Sequence, residues 1–397
     1  MKFSVLIPTR NRLEFLKYAI SSVLQQDESD FEIIVSDNFS EEDIKSFVES
    51  LHDPRIKYYR TDSFVSVTEN WNNALEKSSG DWVVMLGDDD CLMNGYFSTV
   101  NTLLTQFPDP DFIYMNGFLF AYPNVLPQHP HGLAQTFGNA GFVDQEKPYW
   151  LTKKQSLKLV KDTFNFKCVF AFNMQFALIQ RSFIEKLKKT NNFFHSPYPD
   201  YYAMTMLMLF GDRILSCPYP LVGVGISPKS FGFYYFNNNE SKGLEFLNND
   251  NIITMSPKLK DIIFPGTNMN TSWLLSLETI KSNFSECSLP INYKRYRVIQ
   301  IIACLKQFLT APQESKIQSK NIWKRLSFAE KCIYGLPFQL LKHLPMILRR
   351  IYIGLLKRAV KSHTTYPVKR VDRSFDNIQQ FFETTNPLHF VSKNIDK

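Results

Sequence analysis

The chain has 397 residues, of which 44% are hydrophobic and 21% charged, with 15 Gly and 21 Pro. That length allows two or three domains and a sizeable core. The composition excludes collagen-like, low-complexity and wholly disordered chains. The formal charge of +7 is unevenly laid, since residues 1–100 hold nine Lys/Arg against eighteen Asp/Glu and the basic excess lies beyond them. An acidic first quarter argues against nucleic acid there and suits a bound cation, whereas the basic remainder needs an anionic partner or a solvated face.

Short β-type runs alternate with helix-type segments over the first 120 residues. The strand candidates are 3–7, 32–36, 56–60, 82–86 and 111–115. Between the first two, Leu13, Leu16, Ile20, Val23 and Leu24 recur at helical spacing, and Asn11 with Glu14 resembles a capping box. This β-α-β grammar predicts a largely parallel sheet flanked by helices, with ligands beyond the carboxyl ends of the strands. Residues 120–149 read as an irregular excursion rich in Pro, Gly and His. Helices are then expected over 152–164, 182–189 and 201–210, with a strand over 175–179. Residues 225–251 are rich in Asn, Gly, Ser and aromatics and read as a loop, and from 272 to 361 the pattern is helical.

The six cysteines are widely spaced, with no CxxC pair or zinc pattern, which suits a reducing compartment. No stretch of signal-peptide character follows Met1, so a cytosolic start is expected. No run of 18 apolar residues lacks a charge, so a spanning helix is not expected.

The strongest chemical signal is Gly87-Asp88-Asp89-Asp90, directly after the apolar run 82–86. At ~4 Å two like unit charges repel by about 4 kcal/mol for an effective dielectric of 20, so the cluster needs a compensating cation or full solvation. A hard divalent ion shared with phosphate oxygens is the natural compensator at a strand's carboxyl end. The plain alternative is a solvated loop whose aspartates cap the next helix.

The motifs Ser4–Asn11 (SVLIPTRN), Phe31–Asn38 (FEIIVSDN) with Ser40, Asn73–Asp81 (NALEKSSGD) and Trp82–Asp90 follow one another in order. On them the sequence resembles the family 2 glycosyltransferases of the GT-A fold, of the bacterial surface-polysaccharide type, well over residues 3–110 and more loosely to Gly232. The resemblance implies that Pro8 and Thr9 border the donor's base and that Asp37, beside Asn38, accepts a bond from a base imide. It also implies that Asp88 or Asp89 lies at the ribose and that Asp88 and Asp90 hold Mn²⁺ or Mg²⁺. Gly87 stands where many members carry the first Asp of a DxDD pattern, which leaves the choice between Asp88 and Asp89 open. Arg10 and Arg12 read as surface or phosphate-facing.

A glycosyl transfer also needs a base for the acceptor hydroxyl. By the same resemblance it is Asp200 in Pro199-Asp-Tyr-Tyr202, where a plain helix cap is the competing reading. Lys229, at the entry to the loop, would swing onto the departing diphosphate. Asn173, Gln175, Tyr198 and Tyr201 are expected as acceptor contacts, since sugars stack on aromatics and bond amides. No QxxRW motif occurs, so single addition is expected.

Residues 332–361 carry six Lys/Arg and no acid among many apolar side chains. They suit an interfacial helix on anionic lipid or, alternatively, a helical hairpin packed on the rest of the chain. Three parts follow: a GT-A domain at 1–230, a mobile loop and acceptor region at 231–271, and a helical region at 272–397. The expected protein is an inverting, metal-dependent hexosyltransferase, acting on a nucleotide sugar (UDP favoured) and a saccharide or lipid-linked acceptor. Its expected site is peripheral, on the cytoplasmic face of the inner membrane, with no nucleic-acid partner. The competing readings are a sugar-nucleotide nucleotidyltransferase, whose Gly-rich loop is missing from Pro8–Arg12, and an inactive scaffold with a transferase-like fold.

Overall fold

Runs such as FSVLIPT and FEIIVSD have no polar face to offer water, so they pair as strands covered on both sides. A computed structural model describes residues 2–28, 30–138, 141–143, 145–236, 257–310, 322–335, 340, 345–360 and 368–391. Its strands are β1 (Phe3–Thr9), β2 (Phe31–Asp37), β3 (Ile56–Arg60), β4 (Trp82–Met85) and β5 (Cys91–Leu92), followed by β6 (Phe112–Ala121), β7 (Leu133–Thr136), β8 (Tyr149–Leu151), β9 (Ala177–Gln180) and β10 (Ile214–Ile226). They form one sheet in the order β3-β2-β1-β4-β9-β6-β10-β5, with β7 beside β6 and β8 beside β10. The first four are mutually parallel. Because β9 is antiparallel to both β4 and β6, and β10 is parallel to β6, those two strands run in the same direction as the first four. The expected α/β architecture with a mostly parallel sheet is therefore present.

Helices α1 (Leu13–Leu24), α2 (Ile44–Ser50), α3 (Val67–Glu76) and α4 (Tyr96–Gln106) connect the parallel strands, and α5 (Lys153–Phe164), α6 (Arg181–Leu187) and α7 (Pro199–Phe210) follow. The apolar stripe of α1 is buried at Leu16, Ile20 and Val23. Its start differs from the expected capping box. Asn11 adopts a left-handed φ of 51° and its side chain accepts from Glu41 N, while the Leu13 amide is capped from another loop by Glu42 Oε2 at 2.6 Å.

β10 was not legible in the sequence. Its stretch ILSCPYPLVGVGI carries Pro218 and Pro220, residues that argue against a central strand. The ladder with β6 accommodates them by register shifts between Cys217 and Val222.

The chain divides into two compact units. The first comprises residues 1–160, 169–249 and 365–397. It therefore includes a tail that the sequence reading grouped with the C-terminal helices. Helix Ile378–Thr384 in that tail is fully buried at Ile378, Phe381 and Phe382, with the Phe381 ring 5.2 Å from Phe118 and 5.3 Å from Phe120. The second unit, residues 161–168 and 250–364, holds helices Asn268–Asn283 and Tyr293–Thr310 around buried Leu274, Leu277, Ile280 and Tyr296. Of the loop expected at 231–271, residues 237–256 lie outside the described residues. Its flanks include helices Phe231–Phe236 and Pro257–Ile262.

Candidate active site

Strand order reverses between β1 and β4, and an open α/β sheet places its ligand crevice at the carboxyl ends of such a pair. Here the residue ending β1 meets the loop leaving β4: the Thr9 hydroxyl donates to Asp88 Oδ2 at 2.7 Å. Arg12, just past β1, inserts a buried guanidinium between two carboxylates. It donates through one nitrogen to Asp88 Oδ1, and through the other to Asp89 Oδ2 at 2.8 Å and to Ser227 Oγ at 3.0 Å. The compensating cation that the aspartate cluster demands is thus supplied by the chain itself. Burial alone would lower the Arg12 pKa, but Asp88, Asp89 and Asp90 outweigh it and raise it.

The three aspartates occupy different environments. Asp89 Oδ2 also accepts from the Ser227 hydroxyl at 2.6 Å and the Ser227 amide at 3.3 Å. Asp90 points inward, its Oδ1 accepting from Gly225 N at 2.7 Å and its Oδ2 from Gly87 N at 2.8 Å and from the Gln175 amide. Burial lifts Asp88 to about 6 against the pull of Arg12. Burial, then the charge of Asp89, lifts Asp90 to about 7 despite its three N–H donors. Gly225 is required by this packing, since a Cβ there would lie 1.8 Å from the Asp89 carbonyl oxygen.

A cavity of about 500 Å³ opens beside the crevice, lined by Arg10, Asn11, Arg12, Glu42, Phe64 and Lys229. A narrow recess of about 50 Å³ adjoins it, and Pro8, Thr9, Arg10, Asn38, Trp71 and Asp88 are among its walls. The structure therefore brings Pro8, Thr9, Arg10, Asn38 and Asp88 together, as expected from the sequence, and sets Lys229 in the adjoining space. Arg10 is held by the carbonyls of Asn38 and Phe39 at 2.6 and 2.9 Å and lies 3.7 Å over the Phe64 ring. Asn38 clamps the backbone of Val65 from both sides at 2.9 Å. Lys229 is half-exposed, 3.1 Å from the Asn11 carbonyl and 3.5 Å from Glu42. Asp37 is fully buried behind this wall, accepting from the Tyr58 hydroxyl at 2.6 Å and from Ser40 N at 2.9 Å in an Asx turn.

Asp200 stands in the first turn of α7. It is not the cap of that helix, because Tyr198 holds the cap position, and its Oδ1 accepts from Tyr201 N at 2.9 Å. Part of its surface is open, yet protein surrounds the carboxyl closely enough that burial raises its pKa to about 7. Tyr198 stacks with Tyr201 at 5.8 Å and meets Phe231 edge-on at 5.0 Å. The segment leading into α7 abuts the recess: Thr68 donates to the Ser196 carbonyl at 2.6 Å, and Phe194 packs on Trp71 at 5.3 Å. Gln175, expected at the acceptor, instead braces Asp90. His195 bonds to the carbonyls of Lys189 and Asn192 and its ring meets Tyr202, in keeping with a structural role.

Residues 4–175 match the family profile described as Glycosyl transferase family 2. This segment is a family 2 glycosyltransferase domain. Over 159 residues the chain is 36% identical to the GalNAc(5)-diNAcBac-PP-undecaprenol beta-1,3-glucosyltransferase of Campylobacter jejuni, covering 39% of this chain and 47% of that one. It is 32% identical over 133 residues to an uncharacterized glycosyltransferase of Haemophilus influenzae, covering 32% and 45%. The chain thus spans about half the length of the curated relatives it matches. Among solved structures it is similar to S. aureus TarS 1–349 in complex with UDP-GlcNAc, at 14% identity and a TM-score of 0.44 over 91% of this chain and 90% of that one. Another is the mannosyltransferase PcManGT of Pyrobaculum calidifontis in complex with GDP-Man and Mn²⁺, at 13% identity and 0.42 over 91% and 85%.

The family 2 domain offers a divalent ion few ligands of its own. Among the described residues no three His, Cys, Asp or Glu side chains converge as a metal-holding group. Of the two ligands expected from the sequence, Asp90 has both oxygens turned onto internal N–H donors, whereas Asp88 lines the recess. Asp88 already accepts from Thr9 and Arg12, and Asp89 Oδ2 from Arg12 and Ser227, so an ion on these two carboxylates has to displace Arg12 and complete its shell with phosphate oxygens. Sequence reasoning assigned no partner to Arg12 and no role to Ser227 or Trp71. A cation within four residues of a strand end, in a chain whose aspartates need one, is the signal that points to Arg12.

Proposed function

We propose that the chain is an inverting hexosyltransferase that moves a sugar from a nucleoside diphosphate sugar, UDP-linked by preference, to a hydroxyl of a saccharide or lipid-linked acceptor in cell-surface polysaccharide synthesis. The observation that carries this reading is the joining of Thr9, Arg12 and Asp88 across the β1–β4 crevice, beside a cavity large enough for a nucleotide's phosphates and sugar. In the family 2 glycosyltransferase so read, Pro8, Thr9 and Asn38 border the nucleoside and Asp88 or Asp89 takes the ribose. The base-reading role of Asp37 requires that Tyr58 or Ser40 give up its bond.

The chemistry is a single displacement. Asp200 takes the proton of the acceptor hydroxyl, the freed oxygen bonds to C1 from the face opposite the leaving group, and the bond from C1 to the diphosphate oxygen breaks. A carboxyl with a pKa of about 7 is matched to this work near neutral pH. Tyr201, which is partly exposed, offers an aromatic surface on which an acceptor sugar can lie, whereas Tyr198, also expected there from the sequence, is buried behind it. Arg10 and Lys229 meet the negative charge that builds on the departing diphosphate. Mn²⁺ or Mg²⁺, held by Asp88 and Asp89, would supply Lewis-acid stabilisation of that same diphosphate. The relative's undecaprenyl-linked substrate supports a lipid-linked acceptor, and with it action at the cytoplasmic face of the inner membrane.

The test is calorimetric titration of UDP, with and without Mn²⁺, beside a transfer assay on a panel of nucleotide sugars and saccharide acceptors. Micromolar, metal-enhanced binding and turnover that Asp200→Asn abolishes without weakening UDP binding is the expected result. Transfer retained in Asp200→Asn removes it as the base. Absence of nucleotide binding in the wild type removes the transferase reading altogether.

A further inference from the structure

We propose that the outward face of helix Met346–Val360 binds the surface of an anionic lipid bilayer. The helix packs on Tyr293–Thr310 within the second unit. Arg295 at the start of that neighbour donates to the Val360 carbonyl, and Tyr352 donates to the Ile333 carbonyl at 3.3 Å. Tyr352, Ile353, Leu356 and Val360 cluster on one side of the helix and are partly covered.

The opposite side should be polar if it met only water. It is instead apolar: Ile347, Ile351 and Leu355, four residues apart, are 69%, 55% and 57% exposed, and Leu348 beside them is 43% exposed. Arg350 and Arg358 are exposed on the same arc. Large aliphatics ringed by cations are the composition of an interfacial helix, in which the apolar side chains enter the acyl boundary and the cations meet headgroup phosphates.

Charge selects the occupant. Between Glu330 and Asp372 the sequence has nine Lys/Arg and no acidic residue, so this segment itself brings no carboxylate to repel anionic lipid or to pair with a basic protein partner. The same stretch exposes Ile333 and Met346, and Phe328 just before it is exposed as well. No described helix is long and apolar enough to cross a membrane, so the contact is one of lying on the surface.

The experiment is co-sedimentation of the full chain with vesicles of pure phosphatidylcholine and with vesicles containing 30% phosphatidylglycerol. The wild type is expected to bind the anionic vesicles at least tenfold more tightly, and to lose most of that preference in 0.5 M salt. Ile351→Glu with Leu355→Glu should cut binding at least tenfold while the far-UV circular dichroism is unchanged. Arg350→Glu with Arg358→Glu should remove the preference for anionic vesicles. Failure of the wild type to bind phosphatidylglycerol vesicles overturns the proposal, as does undiminished binding by the Ile351 and Leu355 pair. A wild-type dimer that this pair turns to monomer, with lipid binding intact, assigns the face to a second copy and overturns it too.

Discussion

Removing Arg12 is the sharpest perturbation available, because one side chain compensates two nearly buried carboxylates. Arg12→Ala deletes the ion pairs to Asp88 and Asp89 and the bond to Ser227. Breaking a buried pair by deleting one partner typically costs about 3–5 kcal/mol, since the remaining charge has neither water nor counter-charge. At roughly 2–4 °C per kcal/mol for a domain of this size, melting should fall by about 6–20 °C at pH 8. The loss must depend on pH. Asp88 already titrates at about 6, above its unfolded value of 3.8. A carboxyl whose folded pKa is raised favours the folded state most below its unfolded pKa and loses that favour as pH rises through the folded one. Deleting Arg12 raises the folded pKa further, so at pH 5 Asp88 takes a proton and needs no counter-charge. The expected loss at pH 5 is less than half that at pH 8. Circular-dichroism melts of the full chain at both values measure it, with Arg12→Lys intermediate because it keeps the charge without the fork. Under the metal reading above, Mn²⁺ should restore part of the stability of Arg12→Ala. A fall under 2 °C, or one equal at the two pH values, would refute the assignment of Arg12 as resident counter-ion.

Under the general-base reading of Asp200, kcat/KM should rise about tenfold per pH unit below about 7 and level off above it; a flat profile from pH 5.5 to 8 contradicts it. Gly225→Ala drives a Cβ into the Asp89 carbonyl and should cost at least ~3 kcal/mol in urea melts, with loss of nucleotide binding. Gly354→Ala is the control, since a Cβ there meets nothing within 4 Å and replaces glycine in a helix; a gain of ~0.5–1 kcal/mol is expected. Phe381→Ala should destabilise the first unit by about 3–5 kcal/mol, and a loss under 1 kcal/mol would mean that the tail helix does not complete its core.

Much of the domain is legible because its signals are local. The alternation from Phe3 to Met115 places β1, β2, β3, β4 and β6 within a residue or two at their starts, since each apolar run needs only its own side chains to declare a buried strand. Pro8, Thr9, Arg10, Asn38 and Asp88 were likewise readable as one site, because strand ends in a parallel sheet share an edge. β10 was hidden by two prolines whose cost is absorbed by a register shift against β6, a partner about a hundred residues away. Helix Ile378–Thr384 was hidden for a related reason: Phe381 declares its burial only against Phe118 and Phe120.

The sequence by itself determined that three adjacent carboxylates sit at a strand's end and that some positive charge must face them. Only the tertiary structure decided that Arg12 supplies it, that Asp90 turns inward to Gly87, Gly225 and Gln175, and that Ser227 holds Asp89. Coulomb attraction and hydrogen bonding act over a few ångströms of space whatever the separation along the chain. A pattern of residue types can therefore announce an unbalanced charge, but the fold chooses which side chain balances it.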